Sequence, residues 1–575
     1  MFIFSVILIA ISSYFITSVI SSKNRKESSV FVHFLLIIFA QIVLSFELLS
    51  LFCAISAINF LFMNVLFMLI SVLLYKKLKS SLYLPKIKEE FINIKKALNQ
   101  DKLLKYISVF FLIFLISELI LALFLPVDFG DTLAYYLPRC THWIWAGNIN
   151  HYMTSDIREL IMPVNMDLLY TWHLMFTKSE HGVAVYSYIG LINIIYVVYH
   201  LLGELRFCRR KRLWTVYILC AFSIIGVMAY TPLSDLFTGS LLLTAVYLFL
   251  VFCKNNTKTD LYFSSLSLVL AFGTKTTALI AIISLCVIFY ILLNHYKKGN
   301  KWKVFILFIF FAVINFVIFS GYNYLLNFLQ FSNPISNKGH ILLNQFRGGI
   351  TGYIYNLVNY VFYIFDLSGI NNIDLYNEYV IKLKNSVFSL LPQNTSIYIS
   401  PYYNEPYKFF NVCNPLYSAL GAMGLLCFYP SLLYCIFSKK RYSFRYAFLF
   451  VIALLFIFNV LLFAGMMIYT KYNVRYLVTF LIISVPIVVC TYFKSNRNIY
   501  KWIVSAFLFI YPFYNPFITT ASFVIASLKL QEYNKNYSDA EKIYDYFVKA
   551  KNNKIAVFDK HRGEYLYYIY KLRFI

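Results

Sequence analysis

Twenty-five carboxylates are few for 575 residues, and their distribution is uneven. Asp128, Asp131, Asp156, Glu159, Asp167 and Glu180 all fall between 126 and 181, a stretch that also carries His142, His151, His173, His181, Trp143 and Trp145. The stretch follows an apolar run ending near Pro126. Asp128 and Asp131 are three apart, so in a helix they share a face, followed along it by Tyr135 and His142. A carboxylate held partly out of water can take the proton of an attacking hydroxyl, which is general base chemistry. The spacing serves a structural role equally well, with Asp128 capping the helix and Asp131 in its first turn, favoured by the dipole.

The elements that must position these groups follow from composition. The chain is 60% hydrophobic and 13% charged, with a mean hydropathy of +0.68, which excludes a soluble globule, a disordered chain and a fibrous repeat. The expectation is an all-α polytopic membrane protein of about fourteen transmembrane helices, near 1–20, 30–52, 57–75, 106–125, 182–202, 214–231, 235–253, 261–273, 277–293, 303–321, 416–437, 446–469, 475–493 and 501–518. The first run lacks a basic leader and is followed by Lys23, Arg25 and Lys26, so it reads as an uncleaved span with its N-terminus outside. Alternating from there, the short inward segments collect 30 of the 51 Lys and Arg residues. The net charge of +26 is therefore read as topology and not as a nucleic-acid surface.

That orientation leaves three outward pieces, 126–181, 322–415 and 519–575, where chemistry on a polar substrate is to be sought. The expected organisation is N-terminal spans with a basic loop (1–105), a membrane core holding the acidic loop (106–321), a large outer loop with membrane-surface helices (322–415), C-terminal spans (416–518) and a small outer tail (519–575). The tail pairs a helix at SDAEKIYDYFVKAKNN with a strand-like KIAVFD, a small α/β appendage. Ten cysteines are scattered without a CxxC, and the histidines form no HExxH, so neither zinc nor iron–sulfur chemistry is indicated. Cys140 and Cys413, both in outer loops, read as unpaired thiols ahead of the alternative, a disulfide formed in an oxidising compartment.

Four strings resemble C-type (GT-C) glycosyltransferases, multispan enzymes that transfer a sugar from a polyprenyl-phosphate donor. DTLAYYLPRCTHWIWAGNI with YMTSDIR and Met162-Pro163 is similar to their first outer loop. LVLAFGTKTTAL (268–279) looks like the span turn of the protein mannosyltransferase and aminoarabinose transferase branch, although Thr276 stands where that pattern has Gly. TPLSD (231–235) and KYNVRYLVTF (471–480) resemble two further span ends. The resemblance covers roughly 105–575 and implies an outer-face, inverting transfer to a glycan, lipid or protein acceptor, without an organic cofactor. Divalent ions assist some distant members, but no metal ligand set is legible here.

Carried over residue by residue, the resemblance makes Asp131 the catalytic carboxylate, with Asp128, Asp156 and Asp235 as secondary acids. Lys275, Arg139, Arg158 and Arg475 are candidates for the donor phosphate by their charge, since that anion needs cationic partners, although each arginine serves equally as an ordinary loop cation. Lys275 could instead simply snorkel to lipid headgroups. His142, Trp143 and Tyr135 are candidates for sugar or acceptor contacts, while an interfacial belt alone would supply the tryptophans. Glu47 and Glu118 lie within spans and are expected to pair or line a cavity. Two other functions fit a chain of this kind. One is a polysaccharide polymerase or ligase, whose functional loop lies late and is rich in arginine. The other is a lipid-linked sugar flippase or transporter, which should show paired broken helices. The early acidic loop favours the glycosyltransferase.

Overall fold

The computed structural model describes residues 1–23, 29–83, 87–127, 129–297, 299–344, 349–362, 365, 374–390, 420–495 and 498–509. Asp128, Cys413 and the whole expected α/β tail lie outside the described residues.

Three apolar helices open the chain, α1 (Phe2–Lys23), α2 (Val30–Leu51) and α3 (Ala57–Lys77). Buried polar side chains fasten them. Asn64 and Trp172 both donate to the Ser5 hydroxyl at 3.0 Å, and Gln41 donates to Asn64. Such bonds have no competing water inside a bilayer, so they fix which faces meet. The amphipathic α4 (Ile87–Asn99) leads into α5 (Lys102–Phe124). Asp101 caps α5 at Leu104 N and accepts from Lys501 Nζ (2.6 Å) and Tyr492 OH (2.8 Å), tying the start of this span to the last described one.

The acidic stretch folds as a π turn, Thr132–Tyr136, then α6 (Leu137–Ala146), α7 (Arg158–Ile161) and α8 (Asn165–Thr177). Gly147 ends α6 at φ +74, where a Cβ would come within 2.6 Å of the Cys53 carbonyl oxygen. Only glycine closes this helix so near the α2–α3 turn.

The spans continue with α9 (Val185–Glu204), α10 (Arg209–Cys220), α11 (Ser223–Ala229), α12 (Ser234–Asn255) and α13 (Lys258–Thr274). After them come α14 (Thr277–Ile280), α15 (Ile282–Tyr296), α16 (Lys301–Phe319) and α17 (Gly321–Phe331). Buried along its length and packed against α9, α13, α15 and the 478–484 helix, α12 is the centre of the molecule. The 322–415 region contains α17, α18 (Lys338–Asn344), α19 (Gly349–Phe362) and α20 (Asp374–Ser389) among its described residues. Next come α21 (Gly421–Met423), a π turn (Gly424–Phe428), α22 (Tyr429–Phe437) and α23 (Phe444–Met466). A 3₁₀ segment, Lys471–Leu477, α24 (Val478–Ser484) and a second 3₁₀ segment, Val485–Thr491, complete the described core with 499–509.

Among the described residues nine helices are long and apolar enough to cross a membrane, ten if α10 and α11, bent by 74°, form one broken span. The chain is a polytopic membrane protein, and the described residues do not reach the expected count of fourteen. Every segment counted from hydropathy is helical where described, but α15, 421–437 and 499–509 are short. Likewise α13 has only 17 residues and carries three serines and Asp260.

Candidate functional site

Four separated strings meet at one end of the bundle. Thr132 Oγ1 donates to the Pro232 carbonyl (3.1 Å), and the Tyr136 hydroxyl lies 3.5 Å from that of Ser234, which brings the acidic stretch to the first turn of α12. At the end of α13 the chain turns extended at Lys275. Gly273 lets this end of α13 approach α8 and the α16–α17 junction closely, because a Cβ there would meet Asn165 Nδ2 at 2.2 Å and Ser320 Oγ at 2.4 Å. The 3₁₀ segment Lys471–Leu477 supplies Arg475.

The result is a cluster of six charges. Asp131 lies between two guanidinium groups: Arg158 Nη1 donates to its Oδ1 at 3.1 Å, and Arg475 Nη2 pairs with its Oδ2. Arg158 also forks onto Asp156, through Nε at 3.0 Å and Nη2 at 2.6 Å. Beside them Lys275 Nζ lies 2.5 Å from Asp235 Oδ1, a contact that is ionic without being an aligned hydrogen bond, since both Asp235 oxygens lack an aligned donor. Tyr476 joins the two halves, its ring 4.5 Å from Lys275 Nζ and 5.1 Å from the Arg475 guanidinium carbon. Three carboxylates face three cations, so the resting cluster is electrically balanced.

Burial raises the pKa of Asp131, but Arg475 and Arg158 outweigh it and hold the carboxyl below its ordinary value. Ion pairing favours the charged form more than loss of water disfavours it. Arg475 is buried, and its Nε and Nη1 groups have no hydrogen-bond partner among the described residues. Unfilled guanidinium donors at low solvent exposure suit an oxyanion. Tyr135, expected near the substrate, is buried under the Arg158 guanidinium at 4.7 Å.

Three of the candidates have their contacts outside the cluster. Arg139 is not beside the phosphate candidates but fully buried in an ion pair with Asp167, donating also to the carbonyls of Met162 and Pro163, both at 2.8 Å. Trp143, expected to contact sugar, is buried with its ring 5.2 Å from Arg139. Both lie on the inward side of α6, where burial takes any side chain that can be satisfied. His142 stacks on Tyr152 at 3.5 Å, and Tyr152 donates to Glu159, so this histidine belongs to the scaffold under α7. Sequence reasoning missed the Arg139–Asp167 pair, which no spacing rule connects across 28 residues, and Tyr476, whose adjacency to Arg475 was the available signal. Among the described residues no group of three or more His, Cys, Asp or Glu side chains could hold a metal ion.

From Val474, the residue before Arg475, a groove of about 270 Å³ opens between α19, α22, α23 and the 474–481 segment. Its walls, among them Tyr360, Leu432, Phe456, Val474 and Leu477, are apolar almost throughout.

No family description matches the sequence, and no curated protein is recognisably similar to it. Among solved structures the fold is similar to that of ArnT from Cupriavidus metallidurans in the apo state, with TM-score 0.44 and 12% identity over 70% of this chain and 62% of that one. The same protein bound to undecaprenyl phosphate gives TM-score 0.42 and 12% identity over 70% and 63%. This chain therefore spans less than two thirds of either.

Proposed function

We propose that the six-charge cluster is the active centre of a GT-C type membrane glycosyltransferase, moving a sugar from a polyprenyl-phosphate donor to a hydroxyl of a glycan, lipid or protein acceptor at the outer face, with inversion. One observation carries the reading: a carboxylate is clamped by two guanidinium groups, one with vacant buried donors, and the residue before that arginine, Val474, lines an apolar groove. A polyprenyl phosphate has that polarity, an anion on a long hydrocarbon chain. Its phosphate belongs at Arg475 and Lys275, and its chain in the groove beside Val474.

The resting arrangement makes Asp131 a poor base, because its partners stabilise its charge. A phosphate taking the Arg475 guanidinium competes with Asp131 for the same donor, so donor binding raises the basicity of the carboxylate that must act next. The acceptor oxygen then bonds to the anomeric carbon while the carbon–oxygen bond to phosphate breaks. The acceptor proton passes to Asp131, and the electron pair leaves on the polyprenyl phosphate, whose charge Arg475 and Lys275 stabilise. A single displacement inverts the anomeric centre. Arg158 and Asp156 hold Asp131 in place, and Asp235 orients Lys275.

The test is transfer by the purified chain in lipid discs, offered labelled polyprenyl-phosphate sugars and an acceptor extract. Label should move with the wild type and not with Asp131→Asn. If no polyprenyl phosphate bound, or if Arg475→Met bound it as tightly as the wild type, the reading would fail.

A further inference from the structure

At the end of the bundle opposite the charge cluster, Cys435 on α22 and Cys490 in the Val485–Thr491 segment stand with their sulfurs 3.9 Å apart. They are the one pair of thiols in contact among the described residues, brought together from positions 55 residues apart. Cys435 is buried and Cys490 partly exposed, at the end of the span that closes at Thr491. The basic segments 206–212 and 439–445, which carry Lys211 and Lys440, lie next in sequence to α10 and α22, and both helices pack against the Val485–Thr491 segment. Thiol exchange proceeds through a sulfur anion, and a cationic setting is where reactive thiols are found.

We propose that Cys435 and Cys490 form a redox dithiol that closes to a disulfide by exchange with a low-molecular-weight disulfide. Cys490 attacks the small disulfide, forming a mixed disulfide and releasing one small thiol. Cys435 then attacks Cys490 and releases the second. Two protein thiols give up two electrons and two protons, and the small disulfide takes them up as two thiols. Closing the bond needs the sulfurs to approach to about 2 Å, a movement of the size of a side-chain rotation. On the topology expected from the loop charges this end faces the cytosol, where lasting disulfides are rare and transient ones act as sensors.

The bond would act on the groove. Leu432, one turn from Cys435, lines one wall, and Val474, Leu477 and Leu481, on the segment that runs on to Cys490, line the other. A covalent tie between α22 and that segment limits how far the walls part, and a long lipid chain needs them to part. This consequence rests on the groove holding the donor chain.

The experiment treats the full-length protein in lipid discs with oxidised glutathione, blocks remaining thiols with N-ethylmaleimide and analyses the digest without reductant. The expected product is a peptide pair joined through Cys435 and Cys490, lost on adding dithiothreitol and absent from Cys490→Ser and from Cys435→Ser. Separate alkylation of both cysteines in the oxidised wild type would overturn the proposal, whatever the variants do. A second measurement compares binding of a fluorescent polyprenyl phosphate before and after oxidation, with a reversible weakening of about tenfold expected. Equal affinity in the two states, with the link formed, would overturn control of the groove. Failure of the reduced protein to bind the lipid at all would instead sink the donor-groove reading, while the dithiol is judged by the mass of the linked peptides.

Discussion

Asp131 is the residue on which the proposed chemistry turns. Asp131→Asn should lower kcat by ~10²–10⁴-fold, the contribution of a positioned base, while donor affinity stays the same or tightens because the amide no longer competes for Arg475. A variant with wild-type turnover would remove Asp131 from the mechanism. The pKa of Asp131 lies below its ordinary 3.8 in the resting protein. Its ion pairs therefore contribute stability above that value, and the contribution is lost as pH falls through the lower folded value. In kcat/KM, which reports the free enzyme, the acid limb should lie below about pH 4, whereas the limb in kcat should lie higher, since bound phosphate shares Arg475. Coincident limbs would contradict donor-triggered release. Lys275→Met should raise the donor KM about ten- to a hundredfold, as expected for a lost charge-assisted contact of ~1.5–3 kcal/mol. That variant also strands buried Asp235, so the decisive protein is Lys275→Met with Asp235→Asn. Should the double variant bind donor normally, Lys275 serves only to neutralise its neighbour. Lys275 and Arg475 were legible as candidates because the outward span ends of this chain offer few cations. Their partners were not, since each lies on another element.

Among the elements, α6 and α7 form the brace behind the site. Arg139 reaches from α6 to Asp167 on α8 and to the carbonyls at 162 and 163, and Asn323 of α17 donates to the Met162 carbonyl at 3.1 Å from the other side. This fixes the end of α7, whose first residue is Arg158. Arg139→Leu should cost about 3–5 kcal/mol by leaving Asp167 buried without its counter-charge, read as a fall in the thermal midpoint in detergent. Adding Asp167→Leu should recover most of that loss, because an apolar pair of similar volume often replaces a buried ion pair at little cost. An additive loss in the double variant would mean that the carbonyl contacts of Arg139 matter more than its charge. Only the conditional helix through Asp131, Tyr135 and His142 was readable here, because 126–181 lies outside the apolar runs counted as spans. The roles of Arg139 and Trp143 were not, because spacing along α6 does not reveal which side faces the core.

Across the whole molecule the topology is the strongest claim that loop charges support. Met153 and Tyr442 are fully exposed, one near the charge cluster and the other in the basic segment at the far end. In intact cells a membrane-impermeant maleimide should label Met153→Cys, while Tyr442→Cys should react only after permeabilisation. Labelling of both from one side would mean that a span has been miscounted, and labelling in the reverse order would put the cluster on the inner face.

Composition and hydropathy alone determined that the chain is helical and crosses a membrane repeatedly, because a bilayer tolerates few other backbones. They also determined where the acids concentrate, since carboxylates are excluded from most spans by the cost of burying charge. Tertiary structure alone decided which charges share a site. Asp131, Arg158 and Arg475 come together from the acidic stretch and a segment 344 positions from Asp131, and Asp235 and Lys275 arrive on two adjacent helices. It also decided which apolar runs are full spans, because length, bends and buried serines act only once a run is packed. Pairing over such separations depends on how helix faces fit around α12, and a linear pattern of residue types does not encode that fit.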